Sequence, residues 1–126
     1  VNSSLEAALG LVIRDLQSTG GISLNVLDEP TDDDPRYESM WLLSDSGSRT
    51  GLLGPLDMTE PERVAHVADQ VQDFVHEELG CMGRPATWPE CPEHPASHPL
   101  TPTLISSSAC WQCPKSGDTL GAIGEL

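Results

Sequence analysis

Apolar residues recur every three or four positions in two stretches of this chain, and every second position in a shorter stretch between them. In the first stretch Leu5, Leu9, Val12, Ile13 and Leu16 share one side of a helix, and Ser3-x-x-Glu6 is a capping box in which each side chain satisfies the other's free backbone amide. The spacing predicts a helix from about Ser4 to Gln17, with Gly20-Gly21 as its left-handed stop. Ile22, Leu24 and Val26 then alternate with Ser23, Asn25 and Leu27, the period of a strand with one buried face.

The segment Asp28-Glu29-Pro30-Thr31-Asp32-Asp33-Asp34-Pro35 sets two prolines among carboxylates, which predicts a solvated loop. It lacks the mid-loop Gly and terminal bidentate Glu of a calcium loop. Tyr37 to Leu43 resumes strand composition, with Trp41 and Leu43 on one face and Met40 and Leu42 on the other. A turn over Ser44-Asp45-Ser46-Gly47-Ser48 leads into a third strand around Arg49 to Leu53, ended by Gly54-Pro55. Thr59-Glu60-Pro61-Glu62 is a second capping box with proline in the first turn, where a missing amide costs nothing. Val64, Val67, Ala68, Val71, Phe74, Val75 and Leu79 form the stripe of the helix that follows, and Gly80 stops it. From Met82 onward prolines crowd the chain. The expectation there is a loop, a hairpin whose second strand includes Ala109 to Gln112, and a closing segment through Ile123.

The tail also gathers soft ligands: Cys91-Pro92-Glu93-His94, then His98, then Cys110-Trp111-Gln112-Cys113-Pro114. Four cysteines can pair as disulfides, but the opening residues carry no secretory pattern, and in a reducing compartment clustered Cys and His read as metal ligands. The favoured set is Cys91, His94, His98 and Cys113 on a structural zinc ion. Cys110 is the substitute for His98, because alternation along a strand turns Cys110 away from Cys113. Cys91-x2-His94 and Cys113-Pro114-Lys115-Ser116-Gly117 resemble the knuckles of zinc ribbons and rubredoxin-like folds, with His94 and Ser116 standing where that pattern repeats cysteine. The resemblance covers the last third of the chain and implies a metal-clipped hairpin.

The expected fold class is therefore α+β: a two-layer, antiparallel sheet with two helices on one face and a C-terminal zinc-bound hairpin. Residues 1–126 read as one domain, with 1–80 the α-β-β-β-α core and 81–126 the Pro-rich zinc-binding hairpin. The element order is similar to that of the type III secretion chaperone-like fold, and that resemblance implies a binding role.

Charge narrows the partners. Twenty acidic residues against six basic ones give a formal charge of −14. Nucleic acid and anionic membrane surfaces both need Lys/Arg patches, so neither is an expected partner, and a basic or amphipathic protein is. No apolar run approaches the roughly 18 to 20 residues of a membrane span, and the expected location is the cytoplasm. Arg outnumbers Lys five to one, a bias common in GC-rich bacteria.

The expected function is a small acidic zinc-stabilised interaction or adaptor protein, with no catalytic residues assigned. Two other classes stay open: a zinc-dependent hydrolase using Cys91, His94 and either His98 or Cys113 with Glu93 as base, and an acidic mimic of nucleic acid. His66, Asp69, Asp73, His76 and Glu77 share the polar face of the second helix and are expected to face solvent. Cys81 is expected to be a small apolar filler.

Overall fold

In the computed structural model, the structure describes residues 3–19 and 22–126. The expected Gly20-Gly21 stop and the Ser3 side chain of the first capping box lie outside the described residues. Among the described residues the order is α1 (Ser3–Ser18), β1 (Leu24–Leu27), β2 (Tyr37–Ser44), β3 (Arg49–Pro55), α2 (Glu60–Cys81), β4 (Thr101–Ile105), β5 (Ser108–Gln112) and β6 (Thr119–Ala122). The class is α+β. The strands form two antiparallel three-stranded sheets, β1-β2-β3 and β4-β5-β6. The closing segment after Cys113 returns as β6 and pairs with β5, across a register shift at Trp111/Gln112.

The first sheet is the expected meander. In β2, Met40 and Leu42 are fully buried while Trp41 and Leu43 on the opposite face are half-buried, as alternation requires. Arg49 lies over the Trp41 ring at 4.6 Å on that outer face. The inner face packs on the helices, so closely that a Cβ on Gly54 would stand 2.9 Å from Leu5 Cδ1. β1 is shorter than alternation predicts, and Val26, on this edge strand, is 44% exposed.

Helix α2 begins as its sequence dictates. The Thr59 hydroxyl accepts the Glu62 amide, and Glu62 Oε1 accepts the Thr59 amide at 3.1 Å. Its apolar stripe is buried from Val64 to Leu79, and three polar residues on it do structural work that hydrophobic periodicity does not reveal. Gln70 pairs with both backbone groups of Leu53 in β3, accepting at 3.0 Å and donating at 2.7 Å. Gln72 donates to the carbonyls of Trp88 and Leu100 at 3.2 and 2.6 Å. Glu78, 4% exposed, accepts the Ser46 hydroxyl at 2.7 Å beneath the β2–β3 turn.

The hydroxyls of Ser44 and then Ser46 hold the Glu78 carboxyl below its ordinary range, against the opposing effect of burial. A carboxylate with a depressed folded-state pKa stabilises fully above its unfolded value, 4.5, and that contribution fades as pH falls below it. Urea melts between pH 3 and 6 should therefore show an acid limb that is shallower in Glu78→Gln. An unchanged slope would mean that these serines do not favour the charged form.

Two sequence expectations fail in this region. Cys81 is exposed at the end of α2, so it fills no core space. His76 does not face solvent: its Nε2 lies 2.7 Å from the Trp88 carbonyl, because the chain after α2 folds back along that side of the helix. Asp69, Asp73 and Glu77 are exposed as expected.

The second sheet closes on the helices through Trp111, the largest fully buried side chain, which meets Trp88 edge to face at 5.7 Å. Trp111 Nε1 donates to Asp15 Oδ2 at 2.7 Å. Asp15, on the buried side of α1, also accepts the amides of Gly124 at 2.7 Å and Leu126 at 2.9 Å, so its carboxylate is satisfied although it is 0% exposed. Gly124 is required there: its φ is +104°, and a Cβ would stand 2.7 Å from Leu11. One apolar cluster runs from Leu5 of α1 through α2 to Trp111, Cys113 and Ile123.

Candidate metal centre

Two loops present the candidate ligands. The first is pinched at its base by Leu100 N–H donating to the Pro89 carbonyl at 2.8 Å and by a Glu90–Pro99 bridge. Within it His94 N–H donates to the Cys91 carbonyl and Ser97 N–H to the His94 carbonyl, each at 3.1 Å. These consecutive turns bring Cys91, His94 and His98 to one side of the loop. The second runs from β5 to β6, closed by Cys113 N–H to Asp118 at 2.9 Å and Gly117 N–H to Cys113 at 2.9 Å. Gly117, at φ +79°, allows the chain to fold around the sulfur, toward which the Ser116 amide points at 3.4 Å.

The loops converge on one another. The ligand atoms of Cys91, His94, His98 and Cys113 all lie within 4.8 Å of each other. His94 Nδ1 is 3.6 Å from Cys91 Sγ, 3.5 Å from Cys113 Sγ and 3.0 Å from His98 Nε2; His98 Nε2 is 3.8 Å from Cys113 Sγ. His98 Nδ1 lies 2.9 Å from the Pro99 carbonyl, an atom that only accepts. The ring proton therefore sits on Nδ1 and leaves the Nε2 lone pair facing the cluster, the usual way a backbone carbonyl orients a metal-binding imidazole. Both sulfurs are fully buried and both imidazoles half-buried, so the group can hold a metal ion from which solvent is largely excluded.

Burial raises the Cys113 thiol, but hydrogen bonds with Ser116, the Lys115 amide and Cys91 together outweigh it and leave the group below the ordinary thiol range. Outside the ligands, Ser116 Oγ donates to Glu93 Oε1 at 2.8 Å and so ties one loop to the other. Asp118 beside Glu93 shares this contact: the pair drives the Asp118 carboxyl up and the Glu93 carboxyl down, as two neighbouring acids must.

Cys110, the substitute ligand in the sequence reading, is buried in β5 and is not among the clustered atoms. His98→Ala is accordingly expected to weaken metal retention more than Cys110→Ala in a chelator competition, and equal losses would put the fourth ligand elsewhere. What the sequence reading missed is the support behind the loops: Gln72 on the Trp88 and Leu100 carbonyls, and the two indoles against α1. A Trp lying within three residues of each loop's first cysteine was the available signal. Among the described residues no helix is long and apolar enough to cross a membrane.

No protein family, curated protein or solved structure matches this chain.

Proposed function

We propose that this chain is a small acidic interaction or adaptor protein whose C-terminal loops are fixed by one structural zinc ion. The observation that carries the reading is the convergence of four nitrogen and sulfur ligands from two loops. With Zn–S near 2.3 Å and Zn–N near 2.0–2.1 Å, a tetrahedral ion sets S···N at about 3.6 Å and N···N at about 3.3 Å. Three of the four S···N separations, 3.5, 3.6 and 3.8 Å, and the N···N separation, 3.0 Å, lie within a few tenths of that geometry, and all four atoms lie within 4.8 Å of one another. Two thiolates and two imidazoles suit zinc, whereas magnesium and calcium take oxygen ligands. The likeness of Cys91-x2-His94 and Cys113-Pro114 to ribbon knuckles points the same way.

Four protein ligands fill a tetrahedron and leave no place for a reacting water, the pattern of zinc that holds a fold together. Glu93, the candidate base, is engaged by Ser116. The binding role is supported by the charge of −14, and the partner that chemistry selects is a basic or amphipathic protein. Its docking surfaces are the Asp28–Asp34 loop and the exposed Asp69, Asp73 and Glu77 of α2.

Elemental analysis of protein purified without added metal should return one zinc per chain. Retention of a basic partner should fall as salt rises, since screening shortens the reach of carboxylates to about 8 Å at physiological ionic strength. Metal-free protein with a disulfide among its cysteines would defeat the zinc reading. Zinc-dependent turnover of a small substrate, with no partner held at low salt, would defeat the adaptor reading.

A further inference from the structure

Both metal-bearing loops are fastened to the same end of α1. Trp88, three residues before Cys91, donates its indole N–H to Thr19 Oγ1 at 2.9 Å. Trp111, two residues before Cys113, donates its own to Asp15 Oδ2 at 2.7 Å. The segment leading into each loop, Trp88 before the first and Trp111 in β5 before the second, thus supplies one indole donor to the end of α1, and the two rings touch each other. The remaining donors to the Asp15 side chain, the amides of Gly124 and Leu126, come from the segment that follows β6. A fully buried carboxylate that loses its donors is strongly disfavoured in place. The first sheet meets α1 mainly at Leu5, which packs on Gly54 and whose amide donates to Glu38 Oε2 at 3.3 Å, and it is held to α2 by Gln70 and by the buried faces of β2 and β3.

We propose that metal occupancy and the docking of α1 form one two-state element. The occupied site fixes the two loops, the loops present the two indoles, and the indoles with the C-terminal amides hold α1 on the core. When the metal is withdrawn the loops loosen, Asp15 loses its donors, and α1 swings free, uncovering the face of Leu5, Leu9, Val12 and Leu16. The chain then acts as a metal-responsive switch that shows an apolar helix only when zinc is scarce. The inference rests on the metal reading above. Linkage makes it reciprocal: the factor by which bound metal favours docked α1 is the factor by which docked α1 raises metal affinity.

The test uses the full chain. Hydrogen exchange is followed with zinc bound and after chelation, and zinc affinity is measured by chelator competition for wild type, Asp15→Asn and Thr19→Val. Chelation should remove protection from residues 5–16 together with 88–118, while residues 39–53 and 64–75 keep theirs. Asp15→Asn should weaken zinc about tenfold and Thr19→Val about threefold, within the usual range of coupling between sites. Thr19 is exposed at the helix end, so its near-isosteric variant keeps the affinity arm informative if Asp15→Asn fails to fold. Protection of 5–16 that persists without metal overturns the proposal, as does wild-type zinc affinity in the variants. So does a collapse of all protection at once, which would leave no separate α1 element. Protein that never binds zinc defeats the metal reading itself, whereas normal zinc binding with an indifferent α1 defeats only the switch.

Discussion

Cys113→Ser protein should emerge from purification with no stoichiometric zinc and with its C-terminal sheet loosened. Cys113 is the one candidate ligand from the second loop: its sulfur lies against both imidazoles, it accepts the Ser116 amide, and its backbone closes that loop at both ends. A serine hydroxyl is a poor replacement for a thiolate, because zinc favours soft sulfur and the hydroxyl stays protonated at neutral pH. Loss of a supporting group outside the ligands already costs zinc sites about 10- to 100-fold in affinity, so removal of a ligand should exceed the upper figure. Structural zinc contributes folding free energy directly, and the melting temperature should drop accordingly. Chelator competition and a thermal melt with and without added zinc measure both quantities. A variant that binds zinc within tenfold of wild type would show that Cys113 is not a ligand.

Trp111→Ala should be the most damaging substitution outside the candidate ligands. Deleting a fully buried tryptophan costs about 3–5 kcal/mol from lost transfer energy and the cavity left behind. The same change takes a donor from a fully buried carboxylate, and hydrogen bonds to charged groups are worth about 1.5–3 kcal/mol each. Together these approach the whole stability of an ordinary domain, roughly 5–15 kcal/mol. Trp111→Phe separates the two effects, keeping an aromatic edge for Trp88 while removing the indole N–H. Denaturant melts should rank wild type above Phe and Phe above Ala. If Phe matched wild type, the Asp15 bond would contribute nothing measurable.

The elements up to Gly80 were legible because each is written locally. Thr59 and Glu62 are three residues apart, the α2 stripe repeats at the helical period, and Met40 and Leu42 alternate with Trp41 and Leu43. The clustering of the four candidate ligands was legible for a similar reason, since Cys91, His94 and His98 sit on one short loop and only Cys113 had to be brought from afar. Contacts between distant positions were not legible. Asp15 meets partners 96 to 111 residues away, and a single aspartate on an otherwise apolar helix face carries no local mark of that role. The β4–β5 turn was also hidden: Ser106 and Ser107 both adopt positive φ, 50° and 66°, where the usual signal is Asn-Gly. Composition likewise did not reveal that the tail would form a second sheet, because β6 is a four-residue strand, Thr-Leu-Gly-Ala, whose glycine weakens any strand pattern.

Gln70 has a consequence for how the molecule behaves in a crowd. Its amide occupies the outward backbone groups of Leu53 as a neighbouring strand would, along the β3 edge of the first sheet, which no other strand pairs among the described residues. A strand from another molecule approaching that border finds the central position already taken, and finds Asp73 and Glu77 standing beside it. Unprotected borders of this kind are where sheets join into fibrils. One glutamine on a helix thus takes the hydrogen-bonding place that an incoming strand would need.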